Sequence, residues 1–508
     1  MPPATPNPIK HVFVLMLENR SFDHMLGFSG ITDTEAATGQ PTKVDGLSGT
    51  ESNTCIGVRH PVTQPADLVM PVDPCHEFTN VLTQLCGVGA KYPPGGPYPA
   101  INNSGFVADY HDNGGQPHPS EIMKCYSAAQ LPVLHALAGE FVVFDRWFSS
   151  LPGPTWPNRF FVHAASSGGL DHSPDAGEIA LWEVVAGFQF QKGTLFDALN
   201  TISDDHAWRI YSGGGFPCVA GLKGINNLEI NAFADFAGDV ASADYPVLYT
   251  FIEPNYGDVL GNTYRDGTSQ HPLDDVTNGE RLLKSVYESI RNSPVWASSL
   301  LIVTWDEHGG FYDHVAPPAA VAPGDNIVTS GARKYRFTFQ QYGVRVPALA
   351  ISPFVPRNLI DHRVYDHSSI PATIERLFGL GPLTQRDALA NSVESLATLA
   401  TPRTDAPLTL PNPVAAASIA PMASVAPMAM AAPSAASPTD SIDKGNLPGF
   451  LHVVLRTDLD LSPPGERSAI LARFKTIKTR ADAQQYMAEV RAKASAAGAT
   501  NLASRAKV

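Results

Sequence analysis

His11-Val12-Phe13-Val14-Leu15-Met16-Leu17-Glu18-Asn19 and Leu300-Leu301-Ile302-Val303-Thr304-Trp305-Asp306-Glu307 share one pattern, an apolar run that stops abruptly on a pair of oxygen donors. Residues 247–252 repeat it ahead of Glu253-Pro254-Asn255, and residues 346–352 have the same apolar character. Short continuous apolar runs of this kind read as strands buried on both faces, as in a parallel sheet covered by helices. Helical patterns lie between them, at 279–291 and 369–378. The alternation predicts an α/β fold with a central, mostly parallel sheet sandwiched by helices. In such sheets ligands bind beyond the carboxyl ends of the strands, which here carry the acids and the amide.

Outward from these strands, residues 27–119 are rich in Gly, Pro, Asn and Asp and weakly periodic. They read as long excursions forming one wall of the site. Residues 411–438 are almost entirely Ala, Pro, Met and Ser, a composition that builds no packed core. Beyond them the chain changes character, with 11 Lys and Arg against 6 Asp and Glu over residues 441–508, and helical composition at 467–478 and 481–494. The expected organisation is a catalytic domain at 8–400, a flexible linker at 401–440 and a small basic helical tail at 441–508.

The 508 residues suffice for a large core, and a net charge of −14 argues against a general affinity for nucleic acid. A basic tail offers peripheral contact with anionic membranes, though a short solvated helical pair explains it as well. No run approaches the roughly 20 apolar residues of a membrane span. The first ten residues hold four prolines and one basic residue and no apolar core of a signal peptide, so the default expectation is cytoplasmic. Five cysteines, none in a CxxC pair, make a thiolate zinc site an unattractive reading.

Four segments carry chemistry. Glu18-Asn19 is suited to ligating a hard cation, and equally suited to starting a helix. Asp306-Glu307-His308-Gly309-Gly310-Phe311-Tyr312-Asp313-His314 crowds three acids, two histidines and two glycines at a strand end. Oxygen donors favour Mg, Ca or Mn, and added imidazole shifts the balance toward Zn or Fe. In Pro152-Gly153-Pro154-Thr155-Trp156-Pro157-Asn158-Arg159, Pro157 suits the first turn of a helix, and Thr155 lies at its mouth. There its hydroxyl is either a nucleophile beside a cation or simply an N-cap. Asn158 and Arg159 are candidates for phosphate oxygens. His271, with His314 as a second candidate, is placed to protonate a leaving oxygen, and His76 sits on a turn-like stretch. No GxSxG elbow, P-loop or HExxH helix occurs.

Glu18-Asn19-Arg20-Ser21-Phe22-Asp23, the segment at 152–159, Glu253-Pro254-Asn255-Tyr256 and Asp306-Glu307-His308-Gly309-Gly310 together resemble the phosphoesterase family of bacterial and plant non-specific phospholipases C. That family also contains a bacterial acid phosphatase. The resemblance covers roughly residues 8–385. It implies an alkaline-phosphatase-like fold, one divalent metal held by Glu18, Asn19, Asp306 and Glu307, and Thr155 as nucleophile through a phosphothreonine. It also implies contacts to phosphate and proton transfer by Asn158, His76 and His271. The expected substrate is a phosphate ester, with a phospholipid headgroup or a small phosphomonoester as the branches. A metal-binding module without catalysis is a third reading, and transfer to an alcohol other than water a fourth.

Overall fold

The computed structural model describes residues 7–113, 118–175, 187–203, 207–326, 333–414, 435–443 and 445–497. Its centre is a ten-stranded mixed sheet. In spatial order the strands are Pro41–Lys43, Thr32–Glu35, Leu359–Asp361, Val142–Phe144, Ala348–Ile351, Ser299–Trp305, His11–Leu17, Tyr249–Glu253, Trp208–Ser212 and Asn231–Ala232. His11–Leu17 lies in the middle of the functional half, parallel to both Tyr249–Glu253 and Ser299–Trp305. Every residue of these two neighbours is buried, as their unbroken apolar runs require.

The sheet is mostly parallel, as expected, with two reversals: Pro41–Lys43 runs antiparallel to Thr32–Glu35 at the edge, and the second lies in the interior. Ala348–Ile351 runs antiparallel to both Ser299–Trp305 and Val142–Phe144. A run buried on both faces carries no periodic mark of its direction, so the sequence pattern was blind to this reversal. Helices pack around the sheet in two groups. Pro132–Ala138 and Phe236–Val240 pack against Val276–Arg291, and Ser369–Phe378 and Leu195–Asn200 pack against Thr155–Ala164.

Residues 27–119 are more ordered than their composition suggested. Two strands extend the sheet edge, Ser52–Cys55 and Val58–Pro61 form a separate hairpin, and helices Phe78–Cys86 and Phe106–Asp112 bury a core of their own. The five cysteines are all free.

At the other end, residues 401–410 lie along Val276–Arg291. The Tyr287 hydroxyl donates to the Pro407 carbonyl at 2.7 Å, and Lys284 to that of Leu410 at 2.6 Å. Most of the Ala/Pro stretch, 415–434, falls outside the described residues. Three helices follow, Leu447–Asp460, Arg467–Phe474 and Arg480–Ala496. The first lies outside the segments of helical composition at 467–478 and 481–494; its Pro448 sits in the first turn, where Pro is well tolerated. Phe450, Leu451, Val453, Val454 and Leu455 are buried in the main core. Among the described residues no helix is long and apolar enough to cross a membrane.

Candidate active site

Strand register brings the acids together. Leu17 is paired with Trp305 in the parallel ladder, so Glu18-Asn19 and Asp306-Glu307 leave the sheet side by side. Asn19 turns the chain with a positive φ of 58°, an uncommon conformation that Asn tolerates better than most residues. Its backbone N–H donates to Asp306 Oδ1 at 2.9 Å, and the Arg20 N–H to the Glu307 carbonyl at 2.9 Å. Gly309 and Gly310, with φ of 62° and 77°, fold the second strand end back over the first. A Cβ on Gly309 would sit 2.2 Å from the Asn19 carbonyl oxygen.

Thr155 is the first residue of the helix Thr155–Ala164, and Pro154 occupies the cap position without a side-chain hydrogen bond. The Thr155 hydroxyl is therefore not an N-cap; it donates toward Asn19 Oδ1 at 3.4 Å. Lying at a helix N-terminus, it occupies the positive end of the dipole, where anions are favoured.

His76, delivered by the 27–119 excursion, closes the group. Its Nε2 lies 3.2 Å from Asn19 Nδ2 and 3.8 Å from Glu307 Oε1, and its Nδ1 lies 2.8 Å from the Pro74 carbonyl. Burial alone would lower its pKa, but the carboxylates of Glu307 and Asp73 outweigh it and raise it to about 9. The charged ring would direct its Nε2–H to Glu307 Oε1, since the Asn19 amide N–H can only be accepted by the neutral ring. His271 is the opposite case. Burial, aided by the His76 and Arg20 cations, pushes it well below the usual histidine range. Its Nδ1 accepts the Leu273 N–H at 3.3 Å, which places the proton of the neutral ring on Nε2, 3.7 Å from Asp73 Oδ1. Tyr264 stacks flat on the ring, 3.4 Å between centroids.

The donor set fits a hard divalent cation. Glu18 Oε2 and Glu307 Oε1 are buried and have no hydrogen-bond partner among the described residues. Buried carboxylate oxygens without partners are costly unless a cation joins them. Burial, reinforced by the nearby Asp306, raises the Glu18 pKa well above the carboxylate range. Asp306 is less free. Its Oδ1 takes the N–H groups of Asn19 and Glu307, and its Oδ2 takes Arg159 Nε at 2.9 Å. A cation would share Asp306 with Arg159. A second acid cluster, Asp23, Asp313 and His314, has ligating atoms within 4.8 Å of one another. There the Arg345 guanidinium already supplies the charge, 3.0 Å from Asp23 and 2.9 Å from Asp313.

Of the other expected residues, three lie differently. Asn158 spends its amide on the carbonyls of Leu151, Gly153 and Pro154 and on the Leu151 N–H, pinning the loop before Thr155 rather than facing it. Arg159 is buried against Asp306 and the Leu17 carbonyl, with Nη1 alone unpartnered among the described residues. His314 is not brought to Thr155 at all; it pairs with Asp23 at 2.8 Å in the Arg345 cluster. The turn at Gly309-Gly310 carries the chain away before His314 is reached.

A family-level comparison matches residues 9–381 to the phosphoesterase family, the whole central sheet and every residue of this site up to the C-terminal segment. The chain belongs to the phosphoesterase family. Among the family's curated members, non-specific phospholipase C6 of Arabidopsis thaliana is 39% identical over 424 residues, covering 80% of this chain and 75% of that one. Phospholipase C B of Mycobacterium tuberculosis is 27% identical over 445 residues, 78% of each chain. A solved structure from Vibrio parahaemolyticus, described as a protein in the alkaline phosphatase superfamily, is similar at a TM-score of 0.31 and 15% identity, covering 52% of this chain and 65% of that one.

Two partners in this candidate site escaped the sequence reading. Asp73 lies three residues before His76 in a loop and showed no pattern, although an acid near a histidine is a pairing worth testing. Asn446 reaches Glu18 and Thr155 from beyond the Ala/Pro stretch. No local signal could have found it, since it is 291 positions from Thr155.

Proposed function

We propose that this protein is a metal-dependent phospholipase C, cleaving phosphodiesters such as phospholipid headgroup esters with Thr155 as nucleophile. Family membership makes it a phosphoric ester hydrolase. The observation that carries the finer reading is the Thr155 hydroxyl, uncapped at a helix N-terminus, beside Asn19 and two buried carboxylate oxygens that have no hydrogen-bond partner among the described residues.

Glu18, Asn19 and Glu307, with Asp306 shared with Arg159, would hold the cation. Bound there, a divalent cation supplies positive charge that stabilises an alkoxide and draws in the anionic ester. The helix N-terminus orients the phosphoryl oxygens toward Thr155. In the first step the bond from Oγ1 to phosphorus forms as that from phosphorus to the leaving oxygen breaks. The hydroxyl proton passes to solvent, and the leaving alkoxide takes a proton from His76. We assign that proton to His76 because it lies against Asn19 and Glu307 beside Thr155, whereas His314 is paired with Asp23 and burial disfavours charge on His271. His271 Nε2–H, without a hydrogen-bond partner among the described residues, would donate to an oxygen of the bound ester. In the second step the oxygen of water attacks phosphorus as the bond to Oγ1 breaks; the neutral His76 takes the water proton and is recharged, and Thr155 Oγ1 regains a proton from solvent. Positioning and charge neutralisation provide most of the acceleration.

The test is hydrolysis of p-nitrophenylphosphorylcholine and p-nitrophenyl phosphate by wild type and Thr155→Ala, with and without chelator. The diester should turn over, chelation should abolish it, restored cation should recover it, and Thr155→Ala should lose at least roughly 10³-fold in kcat. Turnover of the monoester alone would move the protein to the phosphatase branch. Full activity of Thr155→Ala would refute the nucleophile.

A further inference from the structure

Asn446 stands at the cap position of the helix Leu447–Asp460, where an Asn side chain ordinarily accepts a hydrogen bond from the first turn. Here it makes no such bond. Instead its amide nitrogen points into the site, 3.3 Å from Glu18 Oε1 and 3.5 Å from Thr155 Oγ1. The residue is 4% exposed, so the amide has been withdrawn from solvent to make these contacts. Both are long, as is common for catalytic hydrogen bonds before substrate binds.

The surroundings fix this aim. The Tyr264 phenol lies beside the Asn446 side chain, and the Tyr264 ring is itself held flat against His271. Tyr264 has a φ of 50°, a left-handed conformation that costs a bulky residue energy and marks a segment held by its neighbours. From the other side, Gly449 lies directly on the indole of Trp156, the residue after Thr155. A Cβ there would come within 2.1 Å of the ring. The C-terminal helix is thus seated on the start of the Thr155 helix, and two helix N-termini converge on one hydroxyl. Glu18 Oε2, buried and without a partner among the described residues, shows that the group is built to receive something more.

We infer that Asn446 completes the active site from the C-terminal segment, holding the Thr155 hydroxyl and Glu18 in register and offering an N–H donor to the transferred phosphoryl group. The inference rests on Thr155 being the nucleophile. Residues 445–460 are in this reading part of the catalytic machinery, not an appendage to it.

The experiment uses the full chain with p-nitrophenylphosphorylcholine and divalent cation, comparing wild type, Asn446→Ala, Asn446→Ser and Thr155→Ala. It measures kcat, KM, competitive inhibition by inorganic phosphate, and the thermal midpoint. Asn446→Ala should lower kcat about 10²-fold, the usual cost of one preorganised donor. It should also weaken phosphate inhibition about tenfold, with a smaller change in KM. Asn446→Ser guards against a purely structural effect, because Ser caps a helix as well as Asn but is too short to reach the site. A stable Asn446→Ser variant that stays slow supports the inference. One that recovers full activity together with stability overturns it. Asn446→Ala within about twofold of wild type in kcat and phosphate inhibition, while Thr155→Ala is inactive, overturns it and leaves Thr155 standing. An active Thr155→Ala would instead remove the premise of both readings.

Discussion

At the scale of single residues, charge and burial assign different work to histidines that look alike in the sequence. His314, with a side chain 21% exposed, meets Asp23 at 2.8 Å and Asp45 at 3.4 Å. Burial opposes its charge, but hydrogen bonds to these two carboxylates prevail and raise its pKa to about 10. A folded-state pKa above the ordinary 6.5 means stability that is fully present below about pH 6.5 and lost as pH rises through about 10. The difference in urea-unfolding free energy between wild type and His314→Ala should therefore be on the order of 2 kcal/mol near pH 6 and shrink by pH 10.5. A gap that does not vary with pH would show the ring to be uncharged. Hydrolysis near neutral pH should survive this substitution far better than it survives Thr155→Ala. The motif reading grouped His314 with the site by proximity in sequence to Asp306 and Glu307. Two left-handed glycines between them reverse the chain, and nothing in the residue types reports that direction.

At the scale of elements, the site depends on how the two strand ends close over each other. Gly309 needs both a positive φ of 62° and the absence of a Cβ, because the Asn19 carbonyl lies where that atom would go. Gly379 offers a control, with φ of 72° at a helix C-terminus and nothing within 4 Å of a built Cβ. Both Gly→Ala changes should lower stability by roughly 1–3 kcal/mol through backbone strain. Only Gly309→Ala should also displace Asn19 and cost about 10²-fold in kcat, as misplacement of a catalytic group by about 1 Å does. Thermal unfolding and diester hydrolysis of the two variants check this, and equal activities would refute the close-approach argument. These strand ends were legible because a buried parallel strand must be apolar throughout, so the first acid after Leu17 or Trp305 marks where the sheet stops. The Thr155 helix was legible because prolines bracket its start. The direction of Ala348–Ile351 and the loops bearing Asp73 and Tyr264 were not, since a buried run reads the same both ways and loop residues meet only through the tertiary fold.

At the scale of the whole molecule, the chain is closed on itself by its C-terminal helices. Leu451, Val453 and Val454 are fully enclosed, and Leu447, Phe450, Leu455 and Leu459 are nearly so. Burying such side chains is worth roughly 1.5–3 kcal/mol each. Polar contacts add specificity: Asn227 donates to Thr457 Oγ1 at 3.2 Å, and Arg456 to the Leu222 carbonyl at 2.7 Å. Residues 401–410 are anchored separately along Val276–Arg291, so the covalent connection through 415–434 is not what keeps the helices in place. Replacing residues 415–434 by a specific protease site and cleaving it should leave the two fragments bound as one species through gel filtration. The cleaved protein should hydrolyse p-nitrophenylphosphorylcholine at a rate within about threefold of the intact chain, because Asn446 remains seated on Glu18 and Thr155. Mild urea that releases the C-terminal fragment should then abolish activity in parallel with its release, by far more than the same urea affects the intact chain. Fragments that separate in buffer alone would show the buried helix to be weakly held, and a separated N-terminal fragment that kept full activity would show the site to be complete without it.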